Sequence, residues 1–421
     1  MFKFILKQKV YLFLVLMIGM IASCSSDDDM VIGDITSPTG ELTKTIPWDE
    51  TEASISFTAN SAWEASVAEV GTRAATSISW LKITVPKGGA GDVKMPLFLS
   101  KNDNETYREA EVTIKCGEKS VTVTIHQEAN PDAVKMMDAS AISNYSMYIT
   151  PGTWNEGFEK GPDYMLRSDA RWSWWRMKQS EHFFVFWEPG FGDNPNAESV
   201  PEALRVDIDD LLQKAEQFYK TNVEKLGMAT VGQGKSVLDN HKMQIYLLYQ
   251  TDWLATGSGY DDKIGALWVN PSTCKPVGST IGHEIGHSFQ YQVSADKLFT
   301  GEATPIDRAD GSQLVPAGFR YGFGENGAGG CAYWEQCAQW QSFQDYPNEC
   351  FDQETHYAVW LKNHHRHFNH EFMRYASYWF QYWFTEKHGI ESYARIWKES
   401  KYPEDPLQTY MRIYCNNSLD A

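Results

Sequence analysis

The stretch STIGHEIGHSFQYQ, Ser279 to Gln292, places two histidines four residues apart with a glutamate directly after the first. On a helix, residues i and i+4 share a face. His283 and His287 would then present two imidazoles to a common point, with Glu284 projecting beside it. Two neutral imidazoles suit Zn2+, which takes about four ligands at roughly 2 Å. Zinc lowers the pKa of a bound water to about 7, and a neighbouring carboxylate can take the proton. Gly286 would let another element approach, and Phe289 supplies an apolar face. The alternative is a helix that merely carries two histidines, since so short a pattern also arises by chance.

Zinc requires a third protein ligand. The motif resembles those of two groups of zinc peptidases, which differ in where that ligand lies. Metzincins follow the motif with a glycine and a histidine, where this chain has Gln290 and Val293, so that class is excluded. Gluzincins take a glutamate from a later helix, on an E-x-x-A element. GGCAYWEQCAQWQSF resembles that element: Glu335 is followed three positions on by Ala338 and lies 48 residues after His287. The resemblance implies zinc held by His283, His287 and Glu335, with Glu284 as general base. Glu325, in the glycine-rich GFGENGAGG, is the rival ligand. A ligand needs oriented support, which favours the helical Glu335.

Some gluzincins add a tyrosine that stabilises the oxyanion. Tyr375 stands in the corresponding place in RYASYWFQYWFTEKHG, although Ala376-Ser377-Tyr378 replace the usual following residues, and a core tyrosine is the alternative. NHHRHFNH offers His364, His365, His367 and His370; a solvated turn explains the first three, and His370 is a weaker candidate beside the site.

These residues need a scaffold. SEHFFVFWE, KMQIYLLYQ and KIGALWVNPST read as strands, and VPEALRVDIDDLLQKAEQFYKTNVEKLG reads as a helix stopped by Gly227. The strand preceding the motif lines the cleft in zinc peptidases of this class, which points to Gly265–Val269 as the edge. EFMRYASYWFQYWFTEKHG reads as a long aromatic helix closed by Gly389. The tryptophans of RWSWWRMK, Trp172, Trp174 and Trp175, could hold glycan, but ordinary packing from a strand explains them better. The resemblance implies an α/β (α+β) zincin-like metallopeptidase domain over residues 141–421.

Residues 33–128 have a different texture. Short β-branched runs such as ASISFTA, REAEVTIKC and KSVTVTIHQ, separated by Gly, Asn and Pro, predict an all-β sandwich. NSAWEAS, SWLKITVPKGGAGD and KNDNETYREAEVTIKCGEKSVTVTIHQ resemble a BACON domain. That family implies contact with carbohydrate or mucin; the other reading is a spacer, with Trp63 and Trp80 in its core. Residues 129–140, with Pro131, read as a linker.

The first 23 residues carry Lys3, Lys7 and Lys9, an apolar run from Val10 to Ile21 and small residues before Cys24, the layout of a secretory signal. The cut site resembles a bacterial lipobox, which implies lipid on Cys24. The acidic stretch over residues 24–32 resembles the tether of Bacteroidetes surface lipoproteins. The expected location is therefore the outer membrane, at the cell surface and held by lipid alone. Removing residues 1–23 moves the net charge from −18 to −21, which excludes nucleic acid as a partner. Six cysteines remain, and their spacing assigns no pairing. The sequence reads best as a surface-anchored zinc peptidase acting on extracellular protein or glycoprotein. A non-catalytic carbohydrate- or mucin-binding lipoprotein is the alternative.

Overall fold

A computed structural model of the protein describes residues 30–32, 42–70, 78–152, 161–307, 313–314, 331–352 and 354–418. Cys24, the signal sequence and Glu325 lie outside these residues. Contacts divide the chain into two compact units, residues 1–134 and 135–421.

Among its described residues, the first unit is built of strands. β1 (Met30–Ile32), β3 (Glu52–Ala59), β7 (Gly91–Leu99) and β5 (Leu81–Ile83) form one sheet in the order β1-β3-β7-β5. β2 (Leu42–Ile46), β9 (Lys119–Gln127), β8 (Arg108–Cys116), β4 (Trp63–Glu69) and β6 (Lys87–Gly88) form the other, in the order β2-β9-β8-β4-β6. Met30–Ile32 falls within the stretch read as a tether, yet it pairs in parallel with Phe57–Ala59. Alternate residues of β8, Ala110, Val112 and Ile114, are fully buried, as a half-covered strand requires. Trp63 is buried edge-on against Phe57, with ring centroids 4.9 Å apart, and the Arg108 guanidinium covers Trp80.

The second unit is α+β. β10 (Met177–Gln179), β11 (Phe183–Trp187), β12 (Met243–Leu247), β14 (Ile264–Val269) and β13 (Ala255–Tyr260) form a sheet in the order β10-β11-β12-β14-β13. β11, β12 and β14 run parallel, and every residue in them is buried. A continuous apolar run is what a strand covered on both faces needs. α1 (Ile208–Lys220) starts at Asp207, whose carboxylate accepts from the backbone N–H of Asp209 and Asp210. The same rod continues through a π turn, Thr221–Lys225. α2 (Ser279–Phe299), which carries the two histidines, packs on β13 and β14 and against α3 (Ala332–Ser342). Among the described residues α4 (His356–Asn363), α5 (Trp379–His388), α6 (Ser392–Glu399) and α7 (Pro406–Tyr414) follow.

Three local expectations are corrected. Gly265–Val269 is not the sheet edge, because β13 pairs antiparallel outside it. The ATGSGY run of β13 has low strand propensity, but its glycines are required: a Cβ on Gly257 would lie 2.0 Å from the Glu284 carbonyl oxygen. The aromatic run beyond 370 is not one helix. A 3-10 turn at Glu371–Met373 and further turns precede α5, which ends at Gly389 with φ +88°. Trp172, Trp174 and Trp175 lie in turns ahead of β10 rather than on a strand. The first two are nonetheless in the core, against Tyr246 and Phe186, and Trp175 is 38% exposed.

Cys116, Cys274, Cys331, Cys337, Cys350 and Cys415 are all unpaired and buried. No helix among the described residues is long and apolar enough to cross a membrane.

Candidate metal centre

The two helices that build the centre meet where their side chains are smallest. A Cβ on Gly286 of α2 would stand 3.3 Å from the Cα of Ala338 on α3, so bulk at either position would hold the helices apart. One turn before Ala338 on α3, Glu335 is thereby set against the face of α2 that carries the histidines. His283 Nε2 and His287 Nε2 each lie 3.1 Å from the same oxygen of Glu335. His283, His287 and Glu335 are all buried, and their ligand atoms lie within 4.8 Å of one another. This buried His-His-Glu group could hold a metal ion.

The remaining ring nitrogens are occupied. His283 Nδ1 lies 3.1 Å from Gln339 Oε1, and His287 Nδ1 lies 3.0 Å from Gln290 Oε1. An amide oxygen only accepts, so each Nδ1 carries the proton and each Nε2 keeps its lone pair. Two imidazole lone pairs then face one carboxylate oxygen in a buried space, an arrangement that a cation satisfies. Trp334 stacks on His287, with centroids 5.1 Å apart and planes 17° from parallel. Burial drives the Glu335 carboxyl pKa upward, but the two imidazoles that meet it overcome this and hold the pKa below the usual carboxylate range.

Glu284 is 6% exposed and faces β13, where the Gly257 N–H donates to its Oε2 at 2.5 Å. Burial raises its pKa, opposed by His283 and the Gly257 N–H. Tyr375 lies in the turns before α5, with its ring 5.9 Å from that of His283. Burial, and then the Glu335 charge, push its pKa to about 12, so the phenol keeps its proton.

His283, Glu284, His287, Glu335 and Tyr375 all line one cleft of about 610 Å³. His370 does not: it is exposed, and its Nδ1 accepts from the Phe372 N–H. His364, His365 and His367 are exposed as well. The sequence reading missed His356, at the start of α4, which lines the cleft and stacks on Tyr375 at 5.3 Å. It also missed Trp253, 67% exposed at the cleft, and Glu349 and Asp352. The motif spacing carries no signal for these positions, because only the fold brings their loops to the cleft. Gln290 served only to exclude a family, yet it orients a histidine.

Among solved structures, the chain is similar to a Bacteroides thetaiotaomicron protein determined by NMR, at 18% identity over 26% of this chain and 98% of that one, TM-score 0.17. It is also similar to the E. coli chaperone DraB, at 12% identity over 23% of this chain and 55% of that one, TM-score 0.17. A third is the Bacteroides ovatus GH5 xyloglucanase, at 16% identity over 60% of this chain and 61% of that one, TM-score 0.18. No curated protein matches the chain. The BACON family model matches residues 66–128. A second family model covers residues 139–419, the greater part of the chain and the whole of the centre described above. The chain belongs to that family, DUF6055, described as a family of unknown function.

Proposed function

We propose that residues 141–421 form a zinc-dependent hydrolase of the gluzincin type, a peptidase acting on extracellular proteins or glycoproteins. The observation that carries this reading is the convergence of His283 Nε2 and His287 Nε2 on one Glu335 oxygen, at 3.1 Å each. Two imidazole nitrogens and a carboxylate are a donor set that suits zinc. His283, His287 and Glu335, which all line the cleft, would hold the ion. Zinc bound there supplies a Lewis acid and lowers the pKa of water to about 7.

The remaining work belongs to the chain's own groups. Glu284, steadied by the Gly257 N–H, takes a proton from the attacking water and delivers it to the leaving amine. Tyr375, which keeps its proton, donates to the oxygen on which negative charge develops. β13 lies at the sheet edge, and Ala255, Thr256 and Gly257 line the cleft. An edge strand offers backbone groups to an extended peptide, which favours a peptide substrate over a sugar.

The BACON match favours a second role alongside this one, contact of the N-terminal domain with carbohydrate on a glycoprotein substrate. Lipid on Cys24 would hold both domains at the cell surface; Cys24→Ala should then move the protein from the membrane fraction to the soluble one.

The test is hydrolysis of unfolded protein and of mucin by the chain lacking residues 1–23. Glu284→Gln should lower the rate by about 10²–10⁴-fold with zinc still bound. Equal cleavage by Glu284→Gln and parent would end the peptidase reading.

A further inference from the structure

The buried amides behind His287 form an unbroken chain. His287 Nδ1 meets Gln290 Oε1 at 3.0 Å. Gln290 Nε2 donates to the Trp334 carbonyl at 3.2 Å and to Gln341 Oε1 at 2.8 Å. Gln341 Nε2 donates to Asn222 Oδ1 at 2.5 Å and to the Gly286 carbonyl at 3.4 Å. Asn222 Nδ2 donates to the Phe218 carbonyl at 2.9 Å. Gln290, Gln341 and Asn222 are each no more than 2% exposed. They come from three helical segments: α2, α3 and the π turn that follows α1.

Backbone carbonyls only accept, so the three at Phe218, Gly286 and Trp334 fix the direction of every amide. Asn222 must turn its NH2 to Phe218 and its oxygen to Gln341. Gln341 must then turn its NH2 to Asn222 and its oxygen to Gln290. Gln290 in turn must show its oxygen to His287. Tyr393 reinforces the same sense, its hydroxyl donating to Gln341 Oε1 at 2.9 Å. A buried polar chain of this kind is stable only when each member is satisfied, and here each is.

We propose that Asn222 and Gln341 are positioning residues for the metal centre, and that through Gln290 they hold His287 as the Nδ1–H tautomer. Nε2 is then a bare donor aimed at Glu335. Reversal of the chain would place the proton on Nε2, between the histidine and the carboxylate, where a divalent cation has to bind. The π turn contributes by placing Asn222 inside the helix packing, and π turns often mark functional positions. This assignment rests on the zinc reading for its consequence, but the tautomer itself can be read without it.

The experiment is 15N NMR of histidine-labelled protein lacking residues 1–23, first in the parent without added metal. His287 should give the Nδ1–H signature; an Nε2–H signature overturns the assignment whether or not zinc binds. Two variants then extend the test. Asn222→Leu deletes the acceptor for Gln341 and leaves only the Gly286 and Trp334 carbonyls to hold the chain, which should populate the Nε2–H form in part and weaken zinc binding by about tenfold. Asn222→Asp keeps an accepting oxygen, and its protonated oxygen can donate to Phe218, so zinc affinity should stay within about threefold of the parent. If Asn222→Leu is folded but leaves both tautomer and affinity unchanged, the relay has no effect on the centre. If the parent shows the expected tautomer but binds no zinc, the positioning stands and the zinc reading fails.

Discussion

At the residue scale, the centre depends on which nitrogen of each histidine is free. Gln339 holds His283 as Gln290 holds His287, by an amide oxygen on Nδ1. Removing such a partner typically costs 10–100-fold in metal affinity. Gln339→Leu should therefore weaken zinc binding by about that factor, measured by competition with a chromophoric chelator, while Glu284→Gln should not. That His283, His287 and Glu335 come together could be anticipated from the sequence, the histidines from their i, i+4 spacing and Glu335 from the likeness of its helix to an E-x-x-A element. Gln339, His356 and Trp253 could not be, because their relation to the centre exists only once separate elements pack together. Tyr375 stands between these cases: it reaches the cleft from turns, where an aromatic helix was expected.

At the element scale, the motif helix is fixed at both ends of its buried run. Near its start, β13 crosses so closely that Gly257 has no room for a side chain, and a Cβ on Gly259 would lie 2.2 Å from the Tyr291 ring. Gly257→Ala should destabilise the protein by about 3 kcal/mol or prevent folding, because the obstructing atoms are backbone. Gly278→Ala, which meets only the Pro276 carbonyl at 3.8 Å, is the control, and thermal melts compare the two. This close passage is also why the edge strand escaped the sequence reading. Propensity discards a Gly-x-Gly run, whereas packing against α2 requires it.

Near its C-terminal end, Asp296 of α2 accepts from the Val237 N–H at 3.0 Å and from Gln292 at 2.8 Å. Burial raises its pKa from 3.8 to about 6. A carboxyl with a folded pKa above its unfolded one binds its proton more tightly when folded. Its favourable contribution is complete below about pH 4 and lost as the pH rises through 6, on the order of 2 kcal/mol. Asn in its place does not titrate, so the melting temperature of the parent should fall relative to Asp296→Asn between pH 4.5 and 7.5. A constant difference across that range would contradict this.

At the scale of the whole molecule, contacts part between Val134 and Lys135, and each unit has its own core. Pieces ending at 134 and starting at 135 should each melt cooperatively by themselves, as calorimetry can show; a piece that aggregates or melts without a transition would contradict this. Both textures could be read from the sequence. Period-two burial in β3, β8 and β9 follows the alternation of their residues, and the fully buried β11, β12 and β14 follow their apolar runs. Sheet order was less legible, since the edge was assigned to β14 rather than β13. A strand pattern records burial, not which neighbour covers it.

The central claim is that His283, His287 and Glu335 hold one metal ion. Its most direct test is zinc content, measured by mass spectrometry on the protein lacking residues 1–23 and on His287→Ala, Glu335→Ala and Glu325→Ala. About one zinc per chain is expected in the parent and in Glu325→Ala, and loss of zinc from the other two. A parent that takes up no zinc when it is offered, or a Glu335→Ala variant that keeps its full complement, would contradict it.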